Sequence, residues 1–362
     1  MQTVAETREQ PGVSPGAEET ASTGRRDFEG LWDSIASIVG SALTDQGNNE
    51  VAERLIRYHL ANPGKRLRSR FVTGFYGLFA DRPGDDLLSF AASVELLHNA
   101  SLVHDDLEDY DFFRRGRPAL WREFSPSQAI NAGDLLFALS ASILTRSRIG
   151  ETLKLQLISL LIEAVRRLAK GQILELSSLG RDTVSREVYE SVADGKTGSI
   201  FELLIRGALL IAGRYHPGLD GDVSLLGRSL GRVYQMRDDI VDILGLKEGR
   251  KRGGDIMANR MTILTVLAHE SPRRVRDELT AVSVESRRKG GADMVGKVFR
   301  IYRKEGILGR AFQVFHDDLS KINRIGFVRD DPEIARFFGS FLELFEIPEP
   351  SWFGSRVAKH AS

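Results

Sequence analysis

The chain has 362 residues, with 50 basic and 50 acidic side chains and no cysteine. The zero net charge argues against nucleic-acid binding driven by bulk positive charge. The lack of cysteine excludes disulfides, thiolate nucleophiles and cysteine-ligated metal sites. Hydrophobic residues make up 42% of the sequence, which is enough to form a globular core, and only 11 prolines leave room for long helices.

The first 27 residues are rich in Gly, Pro, Ser, Thr and Glu and contain no apolar stretch. This composition predicts a disordered N-terminal segment over 1–27 and no secretory signal. The most apolar run, Ser199–Ala212, is interrupted by Glu202 and Arg206 and is too short to cross a bilayer. We therefore expect a cytoplasmic protein without a transmembrane segment.

From residue 28 onward, apolar residues recur every three or four positions, which is typical of helices. A loop is predicted at Arg115–Pro118, and no alternating pattern indicates strands. The main predicted helices cover about Leu67–Phe79, Leu87–Tyr110, Ser127–Arg146, Glu151–Leu179, Ser185–Ala193, Thr197–Ile211, Leu219–Leu244, Thr262–His269, Pro272–Arg287, Asp293–Glu305, Leu308–Ile325 and Pro332–Phe345. The pattern predicts an all-α fold with one catalytic domain over 28–345 and a C-terminal tail over 346–362.

Two aspartate triplets share one spacing, with two adjacent residues and a third four positions after the first. They are Asp105, Asp106 and Asp109, and Asp238, Asp239 and Asp242. Residues i and i+4 lie on one helix face, so each triplet crowds its carboxylates together. A solvated acidic face is the simpler interpretation of one triplet. Two triplets inside apolar helices instead favour a shared Mg²⁺ site, because buried carboxylates are costly without a partner cation.

Basic residues stand at predicted helix starts or loop edges near these triplets. They are Lys65, Arg68, Arg114, Arg115, Lys196 and Arg260. Thr197 directly follows Lys196. Each alone is more often a surface charge, but together with two Mg²⁺ candidates they indicate a diphosphate pocket. His98 lies seven residues before Asp105, so it is either a buried, satisfied histidine or a donor to the same substrate.

These residues resemble the trans-isoprenyl diphosphate synthases. The segments that carry the resemblance, in the family's order, are GKRLR (64–68), HNASLVHDDLEDYDFFRRGRP (98–118), AINAGDLLF (129–137), GQILEL (171–176), KTGSIFE (196–202), YQMRDDIVDILG (234–245) and GGDIMANRMT (253–262). The two-residue gap between Asp106 and Asp109 resembles the eukaryotic geranylgeranyl type or the bacterial medium- and long-chain types.

The resemblance implies an isoprenoid-synthase-type bundle of antiparallel helices around a deep apolar cavity, with the two triplets facing each other. It implies three Mg²⁺ ions held by Asp105, Asp109 and Asp238, with Asp106, Asp239 and Asp242 supporting. The positions matching those that hold isopentenyl diphosphate are Lys65, Arg68, His98 and Arg115. Those matching the allylic diphosphate site are Arg114, Lys196 with Thr197, and Arg260, while Gln235 matches a position near the reacting carbons. A homodimer is also implied.

One departure from the family is Asn259-Arg260, where Gly-Lys is usual. The implied reaction ionises the allylic diphosphate, with the aspartates and Lys196 as catalytic residues and metal and basic side chains stabilising the leaving group. The isopentenyl double bond then attacks the allylic cation. A terpene cyclase on the same scaffold would not need the second diphosphate site, and a non-catalytic partner subunit would have eroded aspartate motifs.

Small residues one turn before Asp105 bear on product length. Ala100 and Ser101 would let a growing tail pass, and bulk arrives with Leu97 in the next turn. We therefore expect a twenty-carbon product, geranylgeranyl diphosphate, with farnesyl diphosphate or products of twenty-five or more carbons as alternatives. The competing interpretation is that Ala100 and Ser101 are small only for helix packing.

Overall fold

The computed structural model describes residues 15–44, 49–61, 64–80, 82–178, 185–247, 252–288 and 293–348. The α-helices there are α1 (Pro15–Thr44), α2 (Glu50–Leu60), α3 (Leu67–Tyr76), α4 (Asp85–Glu108), α5 (Leu120–Glu123), α6 (Pro126–Arg146), α7 (Glu151–Ser178), α8 (Arg186–Ala193), α9 (Ser199–Ile211), α10 (Asp220–Leu244), α11 (Gly254–Met257), α12 (Ile263–His269), α13 (Arg273–Arg288), α14 (Met294–Lys304), α15 (Ile307–Ile322), α16 (Gly326–Arg329) and α17 (Pro332–Glu343). The all-α prediction is confirmed.

The N-terminal prediction needs correction over residues 15–27. These residues form the first part of α1, which begins at Pro15, so the expected disorder does not extend over them. Proline suits the first helical position, and the following Ala and Glu residues favour a helix. Residues 1–14 and 349–362 lie outside the described residues, so the rest of the N-terminal segment and most of the predicted tail stay predictions.

The predicted loop after α4 contains a small hairpin. Strands β1 (Phe113–Arg114) and β2 (Arg117–Pro118) pair antiparallel, with Phe113 opposite Pro118 and Arg114 opposite Arg117. The turn between them needs positive φ at Arg115 (52°) and Gly116 (80°). The hairpin fixes the direction in which two adjacent arginines leave the backbone.

The break predicted between α8 and α9 is absent. Residues Asp194–Gly198 form one turn of π-helix that joins the two helices. Two glycines allow close packing there: a Cβ on Gly195 would lie 3.0 Å from the carbonyl oxygen of Arg167, and one on Gly198 would lie 3.2 Å from Cα of Arg228. Such π-bulges are frequent at functional sites, and this one carries Lys196.

Helices α4 and α10 carry the two aspartate triplets and lie on either side of α9. Helix α4 packs against α1, α3, α6 and α9, while α10 packs against α9, α15 and the π-helical turn. Almost every residue of α4 from Leu87 to Val103 is buried, as expected for a helix that is apolar all round. The triplets at the C-terminal ends of these helices are therefore held by the core.

A cluster of phenylalanine side chains forms the part of the core next to α3. Phe71 stacks on Phe75 and packs edge-on against Phe201 and Phe341, and Phe341 continues the cluster to Phe345. These contacts fix α3 and α17 against α9. None of the described helices has both the length and the apolar character needed to span a membrane.

Candidate active site

The first triplet divides into one buried and two accessible aspartates. Asp106 is only 1% exposed, and its carboxylate accepts a hydrogen bond of 2.7 Å from Nε of Arg114 on β1. The side chains of Asp105 and Asp109 are 23% and 25% exposed. Helix α4 ends at Glu108, two residues earlier than predicted, and Asp109 is its C-cap residue. Asp106 therefore anchors the hairpin, while Asp105 and Asp109 remain partly accessible.

Basic side chains from distant elements neutralise the two accessible aspartates. Lys196 Nζ lies 2.5 Å from Glu175 Oε2 and 3.9 Å from Asp105 Oδ1. Arg260 Nη2 lies 2.9 Å from Asp109 Oδ2. Burial nevertheless raises the pKa of Asp105 and raises that of Asp109 to about 6, although Lys196 and Arg260 oppose the shifts. The carboxylates are thus poorly solvated and favour a further cation.

The second triplet has one accessible aspartate, Asp238, and two enclosed ones. Asp238 is 48% exposed and lies 2.8 Å from Nζ of Lys247. Asp239 accepts hydrogen bonds of 2.8 Å from both the Tyr189 hydroxyl and the Ile263 backbone NH. Asp242 accepts one of 3.2 Å from the backbone NH of Asp255. Asp239 and Asp242 therefore hold α8, α11 and α12 in place around Asp238.

Burial also dominates the electrostatics of the second triplet. It raises the pKa of Asp239 well above its ordinary value, and nearby Asp255 raises it further, against the hydrogen bonds from Ile263 and Tyr189. Lys247 lies 3.5 Å from both Asp242 and Asp255. Burial lowers the pKa of Lys247, but Asp238 and Asp255 outweigh this effect and the pKa is raised. The lysine therefore stays charged among these carboxylates.

A continuous chain of charges joins the two triplets. Arg260 contacts Asp109 through Nη2, and its Nη1 lies 3.5 Å from Asp255 Oδ1. Asp255 in turn faces Lys247, which contacts Asp238. Arg260 therefore bridges the two triplets and brings them into one cluster of charges.

Three participants in this site were not assigned from the sequence. Glu175 on α7 and Asp255 on α11 lie inside the segments that carried the family resemblance, GQILEL and GGDIMANRMT. Lys247 follows α10 and had no recognisable spacing. Only the folded chain brings Glu175 to Lys196 and Lys247 to Asp238.

A second basic region lies around α3, α4 and the hairpin. Nε of Arg68 is enclosed and has no hydrogen-bond partner among the described residues. Burial lowers the pKa of Arg68, and for Arg115 burial and then Arg114 do the same. A Cβ on Gly64, which has φ of 69°, would lie 2.6 Å from Cζ of Arg115, so only glycine lets the guanidinium pack there. This concentration of positive charge favours an anion.

The remaining residues of this basic region behave differently from one another. Lys65 is exposed beside Gly64. Burial and then Arg68 lower the pKa of His98 well below its usual range, so its imidazole is neutral at pH 7. Glu95 is 5% exposed and accepts a hydrogen bond of 2.5 Å from the Ser69 hydroxyl. One buried carboxylate therefore lies among the basic groups.

Three further predicted residues have positions in this site or beside it. Gln235 Nε2 donates to Asp239 Oδ1 over 3.2 Å, so this amide is turned toward the second triplet. Thr197 is half-buried in the π-helical turn next to Lys196. His104 contacts the Ile130 carbonyl oxygen at 3.2 Å, which agrees with a structural role.

The residues assigned to product length lie close together on α4 but have different neighbours. Leu97 and Ala100 are fully buried. Ala100 shares the helix face of Ser93, whose hydroxyl donates to the Ser140 carbonyl on α6, and of His104, which also contacts α6. Ser101 is 9% exposed and lies four residues before Asp105, on the same face as that aspartate. Ser101 is thus closer than Ala100 to the face that carries Asp105.

The donor set fits Mg²⁺. In the described part of the chain, no three His, Cys, Asp or Glu side chains form a ready-made metal cluster. The accessible aspartates are separated by Lys196, Lys247 and Arg260, and their oxygens are hard ligands. Mg²⁺ binds through one or two carboxylates plus water and substrate phosphates, so this arrangement matches a metal that arrives with a diphosphate.

Comparison with known proteins identifies the family. The family model described as Polyprenyl synthetase matches residues 49–302. A geranylfarnesyl diphosphate synthase of Natronomonas pharaonis is 28% identical over 253 residues, covering 64% of this chain and 74% of the relative. A geranylgeranyl diphosphate synthase of Methanosarcina mazei is 31% identical over 219 residues, covering 59% and 66%. A polyprenyl synthase of Caulobacter crescentus CB15, solved with calcium and isoprenyl diphosphate, superimposes with a TM-score of 0.74 at 23% identity, over 89% of this chain and 94% of that one.

Proposed function

Since the chain belongs to the polyprenyl synthetase family and is a trans-prenyltransferase, we propose that it condenses isopentenyl diphosphate with an allylic diphosphate in a Mg²⁺-dependent reaction that yields geranylgeranyl diphosphate. The observation that carries the proposal is the charge chain Asp109–Arg260–Asp255–Lys247–Asp238, which joins the two triplets. A diphosphate with its metal ions needs acidic and basic groups interleaved in this way.

The accessible aspartates are the proposed metal ligands. Asp105, Asp109 and Asp238 would hold Mg²⁺. The buried aspartates Asp106, Asp239 and Asp242 would keep the surrounding helices and the hairpin in position. A structural relative solved in complex with calcium and isoprenyl diphosphate supports the use of a divalent metal. When bound, the metal supplies Lewis-acid stabilisation of charge on the phosphate oxygens. The number of ions, three, is taken from the family resemblance.

The protein's own cations would act on the leaving diphosphate. Lys196 and Arg260 already face the aspartates, and Lys247 joins them from the second triplet. Each of these side chains carries N–H groups that would donate to the phosphate oxygens of a bound diphosphate. A unit charge pair at 4 Å contributes about 4 kcal/mol at an effective dielectric of 20, so a few such contacts lower the ionisation barrier substantially.

The second basic region is the proposed isopentenyl diphosphate site. Arg68 provides an enclosed guanidinium nitrogen, half-buried Arg115 packs against Gly64, Lys65 is exposed, and neutral His98 can donate one hydrogen bond. Arg114, bonded to Asp106, lies between this region and the first triplet and is assigned to the allylic side. Two separate basic regions favour chain elongation over cyclisation, which uses a single diphosphate.

The two relatives named above differ in product, so they do not decide the product length. We base the proposed length on the small residues of α4. Ser101→Phe should place a ring on the Asp105 face and shift the product toward fifteen carbons. Ala100→Phe should shift it in the same direction if Ala100 also borders the tail, and should instead lower thermal stability if it only packs on α6. Unchanged product from both variants would contradict this account of length control.

The proposed assembly is a homodimer through α7. Leu155, Ile162 and Ile173 are 65%, 59% and 64% exposed, and their spacing puts them on one face of this helix. Exposed apolar stripes of this kind mark interaction surfaces. Ile162→Glu should convert the dimer to a monomer in sedimentation equilibrium, and an unchanged mass would exclude this face.

The reaction itself is tested by incubating the full chain with Mg²⁺, isopentenyl diphosphate and each allylic primer in turn. We expect geranylgeranyl diphosphate as the main product, no turnover in EDTA and recovery with added Mg²⁺. Products of thirty or more carbons would overturn only the length assignment. Cyclised hydrocarbons, or no condensation with any primer, would overturn the proposed function.

A further inference from the structure

The outer side of the hairpin presents large aromatic side chains to solvent. Tyr110, Phe112 and Phe113 are 71%, 49% and 66% exposed, within four consecutive positions. Arg114 and Arg115 of the same segment turn inward to the site. The proposed reaction uses only the inward side, so the exposed rings need a separate explanation.

Arginine and aromatic side chains alternate along one edge of this surface. Arg117 lies over Tyr58 at 4.3 Å, and Tyr58 packs edge-on against Phe124 at 5.3 Å. Arg54 lies over the Phe124 ring at 5.4 Å. The Tyr58 hydroxyl donates to the Pro118 carbonyl oxygen at 2.9 Å, which ties α2 to β2. This edge is a rigid part of the fold.

A second edge repeats the arrangement on α5. Tyr110 packs edge-on against Trp121 at 6.2 Å, and Trp121 contacts Phe112 at 5.3 Å. Arg122 lies over Phe112 at 5.4 Å, and the Trp121 indole donates to the Asp111 carbonyl oxygen at 2.9 Å. Phe113 projects between the two edges without a ring contact among the described residues. We call these nine residues the aromatic–arginine surface: Arg54, Tyr58, Tyr110, Phe112, Phe113, Arg117, Trp121, Arg122 and Phe124.

The charge of this surface favours an anionic partner. Arg54, Arg117 and Arg122 are exposed, and within the described ranges none of them forms an ion pair. Of the acidic residues nearby, Glu53 is paired with Arg57 at 2.6 Å, and Glu123 is exposed. The guanidinium carbons lie over the rings, which leaves the N–H edges free to donate hydrogen bonds to phosphate oxygens.

We propose that the aromatic–arginine surface docks the enzyme on an anionic lipid bilayer. Tyr110, Phe112 and Phe113 would enter the interfacial layer, where amphipathic and aromatic rings are favoured. The three arginines would meet the lipid phosphates. Nucleic acid is a poorer match, because arginine already covers the faces of Tyr58 and Phe124 on which bases would stack.

The test measures partition of the full chain onto vesicles of phosphatidylcholine, alone or mixed with phosphatidylglycerol. We expect roughly tenfold stronger binding to the mixed vesicles at low salt, and loss of that preference at high salt. Tyr110→Asn with Phe113→Thr should reduce binding to mixed vesicles by roughly tenfold. Asparagine tolerates the positive φ of residue 110 and threonine suits β1, so circular dichroism and thermal unfolding should be unchanged.

Two matched variants make the outcome specific. Leu344→Ser removes an apolar side chain that is 58% exposed on another face and should leave vesicle binding unchanged. Arg117→Gln with Arg122→Gln should abolish the preference for anionic vesicles. No wild-type binding to mixed vesicles, equal losses in the aromatic pair and Leu344→Ser, or capture of single-stranded RNA in preference to vesicles would each overturn the proposal. The vesicle assay measures binding and not prenyltransferase activity, so this proposal can fail without affecting the proposed function.

Discussion

The two aspartate triplets have the same spacing but are built differently. In the first, the middle residue Asp106 is enclosed and bonded to Arg114, and both outer aspartates are accessible. In the second, Asp239 and Asp242 are both enclosed, and only Asp238 is accessible. The first triplet therefore offers two carboxylates to a metal and the second offers one. Identical spacing in a sequence does not assign identical roles.

The partner cations differ in the same way. The accessible aspartates of the first triplet are neutralised by Lys196 and Arg260, which come from far along the chain. Accessible Asp238 of the second triplet is neutralised by Lys247, nine residues later. The accessible aspartates of the first triplet thus depend on the assembled fold for their counter-ions, whereas Asp238 has its counter-ion nearby in the chain. The comparison is tested most strongly by substituting accessible and enclosed aspartates separately.

The largest expected effect comes from the accessible aspartates. Asp105→Asn and Asp238→Asn should each lower kcat/KM by about a thousandfold or more, because each removes a carboxylate that acts on transition-state charge. Circular dichroism should be unchanged. Asp317→Asn, at an exposed position of α15, is the matched control and should retain full activity. More than a tenth of wild-type activity in either site variant would contradict the assignment.

Enclosed aspartates should instead control stability. Asp106→Ala leaves Arg114 largely buried without its carboxylate, and we expect a loss of about 3 kcal/mol in the free energy of unfolding. Asp238→Asn, half-exposed, should change that free energy by about 0.5 kcal/mol or less. Urea denaturation measures both values. Equal destabilisation would mean that the two classes of aspartate are not distinct.

The pH dependence of the unfolding free energy of the metal-free protein tests how strongly the accessible Asp109 is affected by burial. Asp109 has a folded-state pKa of about 6 against an ordinary value of 3.8, so the folded state keeps a proton that the unfolded chain loses. Unfolding free energy in EDTA should therefore fall as pH rises from about 4 to about 6, by on the order of 2 kcal/mol from this group. Asp109→Asn should flatten the slope, and Asp317→Asn should not. A stability that rises over this range would contradict the burial of the site.

The smallest effect is expected at the bridge between the triplets. Arg260→Lys keeps a charge beside Asp109 but cannot reach Asp109 and Asp255 together, so kcat/KM should fall by roughly tenfold or less. Arg260→Ala should be at least roughly tenfold worse than Arg260→Lys. Steady-state kinetics with both substrates distinguishes them. Equal damage would show that the site is built around the guanidinium, in contrast to the usual family lysine.

Periodicity and spacing were enough to predict the helices and the pairing of two aspartate triplets with basic residues. They were not enough for Lys247, whose role depends on how the chain turns after α10. The π-helical turn at Asp194–Gly198 was missed because Gly195 suggests a break, whereas close packing against α7 makes glycine necessary inside the helix. The difference between the adjacent residues Ala100 and Ser101 becomes meaningful only once α6 is placed against α4.

Calorimetric binding of inorganic diphosphate most directly tests the claim that both triplets form one metal–diphosphate site. The wild-type chain should bind diphosphate with Mg²⁺ and at least roughly tenfold more weakly in EDTA. Asp105→Asn and Asp238→Asn should each remove the Mg²⁺-dependent part, and the double variant should be no weaker than either single one, because the residues act as a unit. Equal affinity with and without Mg²⁺, or strictly additive losses, would contradict a shared site.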